Sequence, residues 1–250
     1  IGRVKHSLVN FFNLHRPIII VDEAHKNRGG KTFFPTLKRL NPSCLVELTA
    51  TPKDNNVLYS VSAAELKVAE MIKLPVVLTE HPHSWQDCIR DALIQRKKLE
   101  LIAQKEKEYI RPILLIQAQD KNGEANVDTV KQHLLSEYGE NITEEWIAIS
   151  TGQTKELEDE NLFSPTSKVK IVITVEALKE GWDCSFAYVL ASLQNINSAT
   201  DVEQLLGRVL RMPYAKLRQN DELNKAYAHV ISSSIAQATM LLKDLTVQNM

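Results

Sequence analysis

Two short stretches carry side chains suited to handling a phosphate. Val21-Asp22-Glu23-Ala24-His25 follows the apolar run Pro17-Ile18-Ile19-Ile20, which places two acids at the end of a strand. Far downstream, Gln204-Leu205-Leu206-Gly207-Arg208-Val209-Leu210-Arg211 spaces Gln204, Arg208 and Arg211 at i, i+4 and i+7, one face of a helix. In phosphoryl transfer, acids manage magnesium and the attacking water, while arginines stabilise charge on the transferring group. Asp22 at a strand end can hold Mg²⁺ through water. Glu23 beside it can orient and deprotonate that water. His25 lies on the following turn, where it can signal toward a partner lobe. The plainer roles are an acidic helix N-cap for the first stretch and solvated arginines for the second.

Further polar residues fall at the ends of other apolar runs. Thr49-Ala50-Thr51-Pro52 closes the next strand, so its hydroxyls should lie beside the same crevice. Ser150-Thr151-Gly152 and Thr174 end two later strands, where hydroxyls can reach a nucleic-acid phosphate. Gly181 permits a tight turn, and Asp183 can accept from a ribose hydroxyl or pair with an arginine. Thr200-x-x-Glu203 is a capping box that starts the arginine helix. Gly207 weakens that helix, so it should serve close approach of backbone to a ligand or to another lobe.

These groups need a frame. The pattern predicts helices over residues 4–14, 32–40, 61–72, 84–109, 126–138, 200–212 and 235–245. It predicts strands over residues 17–21, 44–49, 74–80, 113–118, 146–150, 169–175, 186–192 and 227–232. The strand over 17–21 reads as buried on both faces. Strands alternating with helices argue for a mostly parallel sheet covered on both faces. The second half holds enough strands for a whole α/β domain, and the first half holds too few. In such sheets ligands bind beyond the carboxyl ends of the strands. The Arg96-Lys97-Lys98 run reads as a solvated helix face, because Glu100, Glu106 and Glu108 follow it.

Composition narrows the class. At 250 residues the chain is one large domain or two small ones, and its 44% apolar and 24% charged content is that of a globular protein. The formal charge of -1 means that a nucleic acid must be met by a local basic surface. Cys44, Cys88 and Cys184 are widely spaced, which fits a reducing cytoplasm and argues against a disulfide framework. No apolar run reaches membrane-spanning length, so no membrane partner is expected.

VDEAH, TATP, TVEALKEGWD and QLLGRVLR, in this order, resemble motifs II, III, V and VI of superfamily 2 helicases and translocases. EGWD together with GRVLRMP is most similar to the Res (motor) subunit of type III restriction enzymes and their DEAD/DEAH-like relatives. The resemblance extends from Pro17 to Ile231. It implies RecA-like, P-loop NTPase-type parallel sheets with flanking helices. Residues 1–74 would be the C-terminal part of a first lobe, and residues 75–250 a complete second lobe. It implies ATP and Mg²⁺ in the cleft, double-stranded DNA crossing both lobes, and a methyltransferase (Mod) subunit as partner. By the same resemblance Asp22 holds magnesium and Glu23 is the base. Thr49 and Thr51 couple the lobes, and His25, Gly181, Asp183, Gln204 and Gly207 surround the nucleotide. Arg208 and Arg211 face its phosphates, and Ser150, Thr151, Gly152 and Thr174 meet the nucleic acid. The expected function is an ATP-dependent DNA translocase or helicase. The alternatives are an ATP-independent nucleic-acid-binding or scaffolding module and a DEAH-class RNA helicase.

One departure from the pattern is large. A phosphate loop, G-x-x-x-x-G-K-[ST], should precede VDEAH. Gly30-Lys31-Thr32 has His25 where that loop needs glycine, and a lysine with an N-capping threonine is the plainer role. Asp54 with Glu65-Leu66-Lys67 imitates a nuclease spacing, but a helix there turns Glu65 away from a shared metal. His81-Pro82-His83 lacks a third ligand and reads as a surface turn. The first lobe is therefore expected to be incomplete, and this chain alone should hydrolyse ATP weakly or not at all. A steady-state phosphate-release assay checks this, and robust turnover that disappears in Glu23→Gln would contradict it.

Overall fold

The computed structural model describes residues 7–24, 31–49, 56–139, 142–151, 156–157, 160–175, 183–194 and 206–231. The chain divides into two compact units, Ile1–Ser60 and Val61–Met250.

In the first unit, α1 (Leu8–His15) begins at Ser7, whose hydroxyl accepts from the Asn10 N–H at 3.2 Å. Left-handed Arg16 (φ 46°) ends it, and β1 (Ile18–Val21) follows. After α2 (Phe33–Arg39), β2 (Cys44–Glu47) pairs with β1 in parallel, Ile18 opposite Cys44 and Val21 opposite Glu47. The Asn13 side-chain amide donates to the Arg39 carbonyl at 3.0 Å, tying α1 to the end of α2. Thr32 stands at the start of α2 but makes no side-chain cap. β1 is not buried on both faces as its composition suggests. Val21 is buried, whereas Ile18 and Ile20 on the other face are 66% and 65% exposed.

The second unit opens with α3 (Ala63–Val68), where Ser62 and Glu65 form a reciprocal capping box. Glu65 thus serves as a helix cap, and Asp54 lies outside the described residues. Then come β3 (Val76–Glu80), α4 (Trp85–Ala103), β4 (Ile113–Gln117), α5 (Val127–Glu137), β5 (Ile147–Ser150), β6 (Ile171–Thr174) and β7 (Ala187–Ser192). Residues 206–210 are helical, and β8 (Ala226–Val230) follows. Six strands form one sheet in the order β3-β8-β7-β4-β6-β5, every pair parallel. The expected parallel α/β architecture is observed. β4, β7 and β8 are buried along their whole length, which is why ILLI and AYVLA read as unbroken apolar runs. α4 packs on β4, β7 and β8 through Ile89, Ala92 and Leu99, and α5 lies on β6 through Val130 and Leu134.

Two helices are shorter than their periodicity predicts, for tertiary reasons. α4 stops at Ala103 because the following acids are used elsewhere. Glu106 accepts from the Asn220 N–H at 3.2 Å, and Glu108 pairs with Arg218 and Lys216. α3 stops at Val68, Glu70 turns left-handed (φ 58°), and the chain then extends to meet residues 210–212. Arg96 is also not solvated. It is 4% exposed and ion-paired with Glu100 at 3.0 Å, while Glu100 also holds Lys170 at 2.8 Å. Lys98 pairs with Glu222 at 2.7 Å.

His81 is no surface-turn residue either. Its Nε2 lies 3.2 Å from Nδ1 of His229, with ring centres 5.5 Å apart and planes inclined by 23°. The rings therefore meet nitrogen to nitrogen, one proton between them. Asp91 lies 3.9 Å from the other side of His81. Burial, and then the neighbouring His81, push His229 down to about 4 from its ordinary 6.5. Below pH 6.5 the unfolded chain takes up a proton that the folded chain refuses until about pH 4, so stability present above pH 6.5 is lost across that window. The full loss is about 3 kcal/mol. Denaturant unfolding at pH 7 and pH 4.5 should show this fall, and His229→Asn should remove most of it.

Candidate functional site

In the first unit the acids stand where a parallel strand pair ends. Val21 accepts from the Leu48 N–H at 2.9 Å, and the Ala24 N–H donates to the Leu48 carbonyl at 3.1 Å. These two bonds hold the turn after β1 against the segment after β2. Asp22, Glu23 and Thr49 therefore share one carboxyl edge. Ala24 is fully buried and anchors the turn, Asp22 is exposed, and Glu23 and Thr49 are half-buried. Glu23 is left-handed (φ 49°), a conformation that costs a residue with a Cβ roughly 1 kcal/mol. Its N–H donates to Asp22 Oδ1 at 2.9 Å, which helps to hold it there. His25 and Thr51 lie outside the described residues.

In the second unit the arginines are not arranged as one helical face. Leu206 and Val209 face the core and Arg208 is half-buried, but the helix ends at Leu210. Arg211 instead forms an antiparallel bridge with Ile72, and the Met212 N–H donates to the Met71 carbonyl at 2.9 Å. Pro213 explains the early stop, because a residue before proline avoids helical backbone and Met212 is extended (φ -77°, ψ 129°). The Arg211 guanidinium pairs with the Asp183 carboxylate. Both side chains are about half exposed, at 56% and 52%. A pair in that setting contributes little to stability, but it fixes direction. Among the described residues nothing lies within 4 Å of where a Gly207 Cβ would stand, so none of them demands glycine there. Gly181 and Gln204 lie outside the described residues.

The carboxyl ends of the central strands carry a further polar set. Ser150 ends β5 and Thr151 follows it, both half-buried, and Gly152 lies outside the described residues. Thr174 ends β6 but is only 2% exposed, so its side chain is not presented to solvent. Three glutamines that the sequence reading passed over join these ends. Ser192 Oγ donates to Gln117 Oε1 at 2.8 Å, and Gln117 Nε2 donates to Gln194 Oε1 at 3.3 Å. Gln194 Nε2 donates to the Ala118 and Val175 carbonyls at 2.7 and 2.6 Å, and Gln119 Nε2 to the Leu193 carbonyl at 2.9 Å. The available signal was an amide directly after each buried apolar run. The network carries no charge and ties together the segments that leave β4, β6 and β7.

A cavity of about 300 Å³ opens at the opposite, amino ends, between Trp146, Arg111, Lys168 and Lys170. It lies at the edge of the sheet opposite to Gln117, Ser150, Thr174 and Ser192. Among the described residues no three His, Cys, Asp or Glu side chains are grouped to hold a metal. Magnesium does not require such a cage. It retains waters and is commonly held by one or two carboxylates together with substrate phosphates, a role that exposed Asp22 fits. Among the described residues no helix is long and apolar enough to cross a membrane.

No family profile matches the chain, and no curated protein matches it. Among solved structures, a fragment assigned to the HsdR subunit of a type I restriction enzyme from Vibrio vulnificus YJ016 superposes with a TM-score of 0.54. Sequence identity is 16%, over 93% of this chain and 47% of that one. That likeness shows a shared α/β fold, and the present chain spans about half the length of the fragment. The ATP-dependent type ISP restriction-modification enzyme LlaBIII bound to DNA aligns at 14% identity over 90% of this chain and 19% of its own, with a TM-score of 0.46. The yeast DEAD-box splicing factor Prp28 aligns at 16% identity over 92% and 49%, with a TM-score of 0.39.

Because Gly207 is helical and its Cβ position is open, Gly207→Ala should stabilise the second unit by about 0.5–1 kcal/mol. Denaturant unfolding measures this, and a loss of stability would reveal a packing demand on the glycine.

Proposed function

We propose that this chain is part of an ATP-dependent motor that moves on double-stranded DNA, of the kind found in restriction systems. The finer assignment is to the Res subunit of a type III enzyme, with a methyltransferase (Mod) subunit as its partner. The observation that carries the proposal is the shared carboxyl edge of β1 and β2. There an exposed Asp22, a left-handed Glu23 and Thr49 are held together by the bonds around Leu48. Residues 1–74 are then read as the C-terminal part of a first RecA-like lobe and residues 75–250, with the six parallel strands, as the second, although the compact units divide after Ser60.

In this reading Asp22 holds magnesium, which neutralises charge on the triphosphate when bound. Glu23 orients the attacking water and takes its proton. Arg208 and Arg211 stabilise the charge that develops on the transferring phosphoryl group. Arg211 must first exchange the Asp183 carboxylate for a phosphate oxygen, which leaves Asp183 able to accept from a ribose hydroxyl. Gln204, Gly207, Gly181 and His25 complete the nucleotide surroundings, and Thr51 acts with Thr49 in coupling hydrolysis to movement. Ser150, Thr151 and Gly152 meet the nucleic-acid backbone. Buried Thr174 shapes that surface from beneath.

The test is DNA-stimulated ATP hydrolysis by the full-length protein. Glu23→Gln and Arg208→Gln should each lower kcat by at least about a hundredfold. Duplex DNA should stimulate turnover more than duplex RNA does. Hydrolysis indifferent to both substitutions would remove the catalytic reading. DNA binding without any ATP dependence would instead identify a nucleic-acid-binding module, and stimulation by RNA alone an RNA helicase.

A further inference from the structure

Lys73 is fully buried in the second unit. A lysine in such a place is usually paired with a carboxylate, because an isolated ammonium is expensive to remove from water. Among the described residues no carboxylate is ion-paired with it. Its Nζ donates to the Ser185 carbonyl at 3.0 Å and to the Ala187 carbonyl at 2.6 Å, and lies 3.9 Å from the centre of the Tyr188 ring. Burial holds this amine well below the ordinary lysine range, so its retention in an apolar site works against stability.

What Lys73 touches explains why it is there. Ser185 and Ala187 are the residues by which the chain passes from Asp183 into β7. On its other side, the Lys73 N–H donates to the Leu210 carbonyl at 2.5 Å. Ile72 bridges Arg211, Met71 accepts from Met212, and Glu70 accepts from the Leu217 N–H at 3.0 Å. Asp183 and Arg211 come from separate parts of the sequence, and the pair they form is half exposed and weak. Residue 73 is bonded to both of the segments that carry them, through its side chain to one and its main chain to the other.

We propose that Lys73 is a positioning residue that sets the spacing between the Asp183 carboxylate and the Arg211 guanidinium. Its main chain fixes residues 210–212, and its amine fixes residues 185–187. The importance of the pair for nucleotide rests on the function proposed above. The placement itself does not.

The experiment is amide hydrogen exchange on the full chain, comparing the wild type with Lys73→Met, which keeps the apolar stem and removes both donors. Exchange should accelerate at least tenfold in peptides spanning residues 183–188, which lose the two Nζ bonds, and less over residues 210–217, which keep the bond from the Lys73 N–H. It should be unchanged over α5 and β5, which lie elsewhere in the same unit. Uniform acceleration, or none, would overturn the proposal, because a residue that merely contributes to stability loosens the whole unit. If Lys73→Met does not fold, Lys73→Gln, which can replace one donor, is measured in the same way. Failure of both to fold would also overturn it, since local placement is not needed for the unit to form. Binding of a fluorescent ATP analogue with Mg²⁺ separates the two proposals. Lys73→Met and Arg211→Gln should weaken it by the same factor, and the double variant should be no worse than either. Local loosening without any effect of Arg211→Gln on the analogue would leave Lys73 in its positioning role and remove the nucleotide from the pair.

Discussion

A parallel sheet forces every connection to carry the chain back to its starting edge, so all strand carboxyl ends emerge on one side. In the second unit that constraint places Gln117, Ser150, Thr174 and Ser192 on a common edge, although they are scattered through the sequence. The buried centre of the sheet keeps them there. β4 and β7 are closed to water along their length, so their backbone groups must be satisfied within the sheet and their register cannot drift. The amide network of Gln117, Gln119 and Gln194 continues this satisfaction beyond the last ladder bonds. The two-stranded pair of the first unit obeys the same rule on a smaller scale, with Asp22, Glu23 and Thr49 at its edge.

The amino ends are organised differently. Three arginines are almost fully buried near them, at positions 96, 111 and 218. Arg111 donates to the Leu162, Ser164 and Ser167 carbonyls, and Arg218 to the Lys216 and Pro213 carbonyls and to Glu108. A planar fork of five donors suits irregular segments whose carbonyls have no ladder partner. Lys170 lies 3.7 Å from the centre of the Trp146 ring while paired with Glu100, which links α4 to the entry of β6. This edge is held by charged side chains, and the opposite edge by an uncharged amide network.

Local patterns in the sequence were enough to find most elements and the acidic strand end. PIIIV and ILLI are strands, and Ser84 and Asn126 cap their helices as their residue types suggest. Features that depended on distant partners were not legible. Ile18 and Ile20 read as buried because β-branched runs usually are, but burial depends on what covers them. Arg211 fits a helical spacing on paper. Pro213 and the partner strand at Ile72 take it out of the helix. Arg96, followed by acids, looks solvated until the packing of α4 is known. His81 gains its meaning only from His229, and Lys73 gave no local sign at all. In each case a long-range contact outweighed a correct local preference.

The Asp183–Arg211 contact joins two side chains that water and counter-ions can reach. Dissolved salt thins the attraction between such groups, over a range of about 8 Å at physiological ionic strength. How firmly the guanidinium is detained therefore varies with the surrounding electrolyte, whereas the buried sheet below it is nearly indifferent. Multiply charged anions compete for it far better than chloride does. The fold thus combines a rigid sheet with an exposed guanidinium whose allegiance is decided by the medium.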